Sequence, residues 1–141
     1  MTASRPDRLI RGFVLLLALV LAGMIWVNRD RFSPIGPGSK APDYDMFTLA
    51  GDTTSVSDYR DKVVVLNVWA TWCEPCIREM PTLQSLHEQL AQEGVEVLGV
   101  SVDVGDNERV IDFAQKLKLT FPILRDPSGD IQKAFAISGL P

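Results

Sequence analysis

Cysteine and histidine are scarce. The 141 residues hold two cysteines, Cys73 and Cys76, and one histidine, His87. No four-ligand Cys/His zinc site can form from that set within one chain. A scaffold stapled by several disulfides is excluded as well. Positive charge is also outnumbered over most of the chain. Residues 1–31 hold five arginines (Arg5, Arg8, Arg11, Arg29, Arg31) against Asp7 and Asp30, which leaves −7 of the overall −4 on residues 32–141. An acidic domain repels phosphate backbones, so no nucleic acid is expected among the partners. Internal repeats are absent. With 46% hydrophobic and 23% charged residues, the composition is that of one ordinary globular domain and excludes a disordered or collagen-like chain.

Charge is also missing from residues 12–27, GFVLLLALVLAGMIWV. Leu9 and Ile10 extend the run, and Arg11 can lift its guanidinium to the headgroups, so the stretch reaches the ~20 residues that span a bilayer. Trp26 falls at the far edge, where an amphipathic ring favours the interface. A cleaved signal peptide is the rival reading. No small-x-small cleavage site follows the apolar core, however, and Leu21-Ala22-Gly23-Met24 lacks a lipoprotein cysteine. The expected order is a cytoplasmic N-terminus over residues 1–11, a transmembrane signal anchor over 12–27, a linker over 28–40 and a domain over 41–141. The modest excess of arginine before the span places that domain outside the cytoplasm. Pro34, Gly36, Pro37 and Gly38 suit a spacer.

The rest reads as an α/β domain. Residues 46–56 look like a hairpin around Gly51-Asp52. Residues 63–69, VVVLNVW, form a nearly continuous apolar run, which predicts a central parallel strand buried on both faces. A helix is expected over 75–92, with Ile77, Met80, Leu83, Leu86 and Leu90 in one stripe, then a strand over 95–102. Such a β-α-β unit implies a parallel pair and a right-handed crossover. A second helix should follow Asp106, with Val110, Phe113, Ala114 and Leu117 inward. A strand over 121–124, a turn over 126–129 and a short helix over 131–135 complete the domain. His87 reads as a packing or surface residue, and the pairs Asp103/Asp106 and Asp126/Asp130 as solvated loops.

A lone C-x-x-C is shared by zinc ribbons, redox proteins and chance. Here a buried strand ends at Trp69 and a helix begins at the cysteines. Cys73 then lies at the helix N-terminus, where free N–H groups and the helix dipole favour a thiolate. Cys76, one turn on, is close enough to close a disulfide. Pro75 suits the first turn, because its missing N–H has no helical partner to lose. Cys73 attacks a substrate disulfide in this reading, and Cys76 resolves the mixed disulfide. A buried structural pair or half of an intermolecular zinc site are the alternatives. Glu74 would oppose a thiolate at Cys73. Glu79 lies about 60° round the helix from Cys76, inside the apolar stripe, where a carboxylate is costly unless paired. It is read as a proton relay that tunes the cysteines, with an ion pair as the alternative.

Val68-Trp69-Ala70-Thr71-Trp72-Cys73-Glu74-Pro75-Cys76 resembles the active site of the thioredoxin superfamily. The match is to its membrane-anchored TlpA/ResA-like thiol–disulfide oxidoreductases, and it runs from about Gly38 to Pro141. The resemblance implies a thioredoxin-like fold with an N-terminal β-hairpin and a central insertion. It assigns Pro81 to the proline that bends the active-site helix, and Glu79 to a glutamate lining the active-site cavity. Asn67 stands where plain thioredoxins carry a buried Asp. Trp72 becomes a substrate-surface residue. Gly139-Leu140-Pro141 resembles the cis-proline loop that binds extended substrate. In the family two further strands and a C-terminal helix follow that loop. The fold is therefore expected to lack them, as in a fragment of a longer product.

The resemblance further implies no cofactor beyond the Cys73–Cys76 disulfide itself. The expected partners are protein dithiols or disulfides, such as the paired thiols of apocytochrome c, and a membrane thiol electron donor. The implied place is the inner membrane, single-pass, with the domain on the periplasmic side. A respiratory copper-site protein is the alternative client, and a non-catalytic fragment the alternative reading. Peroxiredoxins need Pro-x-x-x-Thr-x-x-Cys, and Leu66 and Ala70 occupy those positions, so peroxidase chemistry is not expected.

Overall fold

A computed structural model describes residues 5–27 and 35–140, with side chains from residue 10 onward in the first segment. The chain divides after Ser39 into two compact units. In the first, α1 (Arg5–Val27) is one 23-residue helix. At 1.5 Å per residue it is about 35 Å long, and the hydrocarbon core of a bilayer is about 30 Å. Its Ile10–Val27 stretch has mean hydropathy 2.4 and contains no buried residue, so it is long and apolar enough to cross a membrane. Arg29, Arg31 and the first part of the linker lie outside the described residues.

The second unit is built on one mixed sheet. β1 (Asp45–Thr48) and β2 (Thr53–Ser55) form the expected hairpin, whose turn needs the positive φ of Gly51, 95°. β3 (Val63–Trp69) leads into α2 (Glu74–Leu90). A 3-10 turn over Ala91–Glu93 and a left-handed Gly94 stop the helix, and β4 (Val95–Ser101) returns parallel to β3. After α3 (Glu108–Lys116) comes β5 (Ile123–Arg125), parallel to β4 and antiparallel to β1. A turn at Gly129 opens α4 (Asp130–Ala134). The sheet order is β2-β1-β5-β4-β3.

Two placements differ from the sequence reading. β3 is an edge strand among the described residues, paired on one side only, and Val63 is 67% exposed while Trp69 is fully buried. An apolar run specifies a strand but not which neighbours reach it. β5 begins at Ile123 rather than at Phe121, since Pro122 has no N–H to give the ladder. Phe121 is nonetheless buried.

The core gathers Trp69, Met80, Leu98, Val100, Val110 and Leu124 between sheet and helices. Trp69 stacks obliquely on Phe113, ring centroids 5.0 Å apart. Gly99 makes that packing possible. A Cβ there would meet Phe121 Cε2 at 2.8 Å and both Ile123 Cδ1 and Trp69 Nε1 at 3.2 Å. Gly99→Ala should therefore lower stability by about 1–3 kcal/mol, the usual cost of overpacking. Denaturant unfolding followed by tryptophan emission checks this, and an unshifted midpoint contradicts it.

Candidate active site

The site forms where β3 leaves the sheet. Val102 N–H donates to the Trp69 carbonyl (2.9 Å), and Asp126 N–H to the Ser101 carbonyl (2.9 Å), so β3, β4 and β5 end flush. Beyond Trp69 the chain makes one tight turn, closed by Cys73 N–H to the Ala70 carbonyl at 3.1 Å. Cys73 caps α2 in extended conformation, and its Sγ accepts the Cys76 N–H at 3.3 Å. A free helix N–H thus already points at the sulfur on which thiolate charge would develop. Pro75 sits in the first turn, and Pro81 lies inside the helix without ending it.

Cys73 and Cys76 form a disulfide, with Cα atoms 5.3 Å apart. Cys73 is 5% exposed and Cys76 fully buried, so an incoming group reaches only the first sulfur. An open cavity of about 560 Å³ adjoins Cys73. Its lining includes Trp72, Pro75, Val104, Pro127 and Leu140, with Glu74 its single carboxylate among the described residues. Trp72 is 67% and Val104 84% exposed, giving the rim an apolar character. Glu74 pairs with Arg78 at 3.6 Å, both side chains exposed, which offsets part of its charge beside Cys73.

Glu79 is half-buried on α2, and no hydrogen bond or ion pair falls to it among the described residues. It is not among the residues that line the cavity beside Cys73. Asn67 is half-buried, with its Nδ2 unpaired. Pro141 lies outside the described residues, while its neighbour Leu140 does line the cavity. His87 packs edge-on to Phe121, centroids 6.2 Å apart. Among the described residues no group of His, Cys, Asp or Glu could hold a metal ion.

The acidic pairs are not solvated throughout. Asp103 is 2% and Asp126 4% exposed, and both are tied into polar networks. Asp103 accepts from Thr71 N–H (2.9 Å), Thr71 Oγ1–H (2.6 Å) and Ser101 Oγ–H (2.9 Å). Ser101 Oγ in turn accepts from Asp103 N–H and from Arg125 Nη1, and Arg125 Nη2 donates to the Gly105 carbonyl. Asp126 accepts from Tyr44 Oη–H, Ser128 Oγ–H and Ile131 N–H, which fixes the cavity-lining turn. Burial pushes the Tyr44 phenol above its ordinary value, and the adjacent Asp126 adds to that. On the same turn, a hydrogen bond from Lys133 holds Asp130 below the usual carboxylate range. Reading every acidic cluster as solvent-facing missed these carboxylates. The available signal was the alternation that puts Ser101 and Asp103 on one side at the carboxyl end of a parallel strand, where α/β sites form.

The family model that matches residues 37–140 is that of the AhpC/TSA family. The thiol-disulfide oxidoreductase ResA of Geobacillus thermodenitrificans is 36% identical over 142 residues, covering 98% of this chain and 80% of that protein. A thiol:disulfide interchange protein from Bacteroides sp. superposes with TM-score 0.70 at 25% identity, over 76% of this chain and 72% of its own. A secreted disulfide oxidoreductase of Mycobacterium tuberculosis, described as homologous to E. coli DsbE, gives TM-score 0.58 at 26% identity, over 67% and 68%. With a thioredoxin-like sheet, a disulfide at the mouth of its active-site helix and these relatives, the chain belongs to the AhpC/TSA family and within it to the ResA-like thiol–disulfide oxidoreductases.

Proposed function

We propose that the chain is a membrane-tethered reductant of extracytoplasmic protein disulfides, acting in cytochrome c maturation. The observation that carries the reading is the exposure difference within the Cys73–Cys76 pair, set at a helix N-terminus beside an apolar cavity. Reduced Cys73 attacks a client disulfide, one client sulfur leaves as thiolate, and a mixed disulfide forms. Cys76 then attacks Cys73 Sγ and releases the second client sulfur, leaving the Cys73–Cys76 disulfide. Two electrons pass to the client and must be returned by a membrane thiol donor. The cysteine pair is itself the redox group, with no cofactor.

Trp72, Val104 and Leu140 form the apolar wall against which an extended client segment lies, and Pro141 is assigned to substrate binding in the same reading. Glu79 moves the proton of the buried Cys76 thiol as the pair opens. The length and apolarity of α1 support a membrane-crossing segment; in this reading residues 12–27 are an uncleaved anchor, 1–11 are cytoplasmic, 28–40 are a linker and 41–141 are the periplasmic redox domain. Apocytochrome c, whose paired thiols must be reduced before haem attachment, is the proposed client. Leu66 and Ala70 leave the peroxidatic motif unfilled.

The deciding experiment equilibrates the full chain in detergent micelles against thiol buffers and reads the Cys73–Cys76 midpoint by tryptophan emission. A value near thioredoxin's, about −270 mV, or lower is expected; one near DsbA's, about −120 mV, would make the chain an oxidant and sink the reading. Cys76→Ser should trap a mixed disulfide with a two-cysteine client peptide, visible as a mass adduct, whereas Cys73→Ser should yield none. Glu79→Gln removes a like charge and should lower the pH midpoint of cysteine alkylation by about half a unit or more. Unmoved titrations would exclude the relay role.

A further inference from the structure

The Cys73 turn is held by more than its own backbone. Thr71, two residues before Cys73, is gripped at both N–H and Oγ1–H by the two oxygens of the buried Asp103 carboxylate (2.9 and 2.6 Å). Asp103 is itself immobilised. Ser101 Oγ–H donates to it at 2.9 Å, and the fully buried Ser101 is held by Arg125 Nη1 at 3.0 Å. Arg125 is 1% exposed and pairs with Ser101 in the β4–β5 register, while Ser101 pairs with Trp69 across β3. A chain of charge-assisted bonds therefore runs from β5 through β4 to the active-site turn. Bonds to ionised groups are shorter and about twice as strong as neutral ones, so this is a stiff connection.

We propose that Asp103 is a positioning residue for Cys73: by clasping Thr71 it fixes the turn that sets Cys73 Sγ against the Cys76 N–H at the mouth of α2. The inference rests on the thiol–disulfide reading of the same site. Its physical content is a restraint on one sulfur. Thiolate stabilisation at a helix N-terminus falls off within the first turn, so small displacements of Sγ weaken it. If the turn loosens, the thiolate is less stabilised, reduced Cys73 becomes less reactive at neutral pH, and the disulfide becomes harder to reduce. Among the described residues Glu74 is the one carboxylate lining the cavity beside this sulfur, its charge partly offset by Arg78, and it stays constant across the variants.

Three variants of the full chain in detergent micelles test the proposal. Asp103→Ala removes both bonds to Thr71. Thr71→Val removes only the hydroxyl bond and keeps the backbone one. Asp103→Asn can still accept from Thr71 N–H and Ser101 with its oxygen, and donate its amide to a reoriented Thr71 hydroxyl. The readouts are the pH profile of Cys73 alkylation in the reduced chain and the midpoint in thiol buffers. Asp103→Ala should slow alkylation about tenfold at neutral pH, raise the midpoint of the pH profile and make the potential more negative. Thr71→Val should move all three the same way by about threefold in rate, and Asp103→Asn should stay within about twofold of the native chain.

A purely structural Asp103 would lower the melting temperature in Asp103→Ala but leave the folded chain's alkylation profile at the native one, which overturns the proposal. So does an Asp103→Asn as impaired as Asp103→Ala, because an amide that still accepts from Thr71 N–H and Ser101 would then restore nothing, and those hydrogen bonds would not be what positions Cys73. If Asp103→Ala does not fold, Thr71→Val and Asp103→Asn decide by the same criteria. A native chain that exchanges no disulfide would refute the function and not the clasp, since alkylation of the free thiol is measured separately.

Discussion

The hydrogen bond from Val102 N–H to the Trp69 carbonyl is small, yet the site depends on it. It closes the β3–β4 ladder at the point where the chain leaves the sheet for the active-site turn. Because the two strands end level, residues just past β4 stand beside residues just past β3. Asp103 can then reach Thr71 although 32 residues separate them. The same alignment carries Ser101 next to Arg125 on the neighbouring strand. Gly99 belongs to this constraint, because only a residue without Cβ lets Phe121, Ile123 and Trp69 close over β4 from both sides.

The disulfide is the chemical centre, but its behaviour is set by how unequally its halves are embedded. Cys76 points into the apolar layer with Met80 and Trp69, and Cys73 faces the cavity. That inequality follows from helical phase: residues at N-cap and N3 lie on adjoining faces, and one of the two faces the sheet. The N-terminus of α2 supplies the electrostatics, and the polar row beneath supplies the rigidity. Charge, burial and chain direction converge on one atom.

The local parts of this arrangement were legible in the sequence. A strand-like run ending at Trp69, a C-x-x-C and a proline in the next turn specify a thiol at a helix mouth within a dozen residues. The hairpin, both longer helices and the β3–β4 pairing follow from periodicity and turn residues. What escaped was non-local. The edge position of β3 is a matter of strand order, and a VVVLNVW run looks alike at an edge and at a centre. The burial of Asp103 and Asp126 depends on partners far along the chain, Arg125 being 24 residues from Ser101.

The hidden position of Cys76 has a consequence for how long a client stays attached. Once a polypeptide is joined to Cys73, the buried Cys76 thiol is shielded from other disulfides and lies one helical turn from Cys73 Sγ, so ordinary release is an internal reaction. Its clock is the effective concentration of a thiol held one helical turn away, which no amount of competing protein in the surroundings can dilute. The dwell time of the covalent complex is thus a property of the fold, and crowding alters how often clients are captured but not how long each is kept.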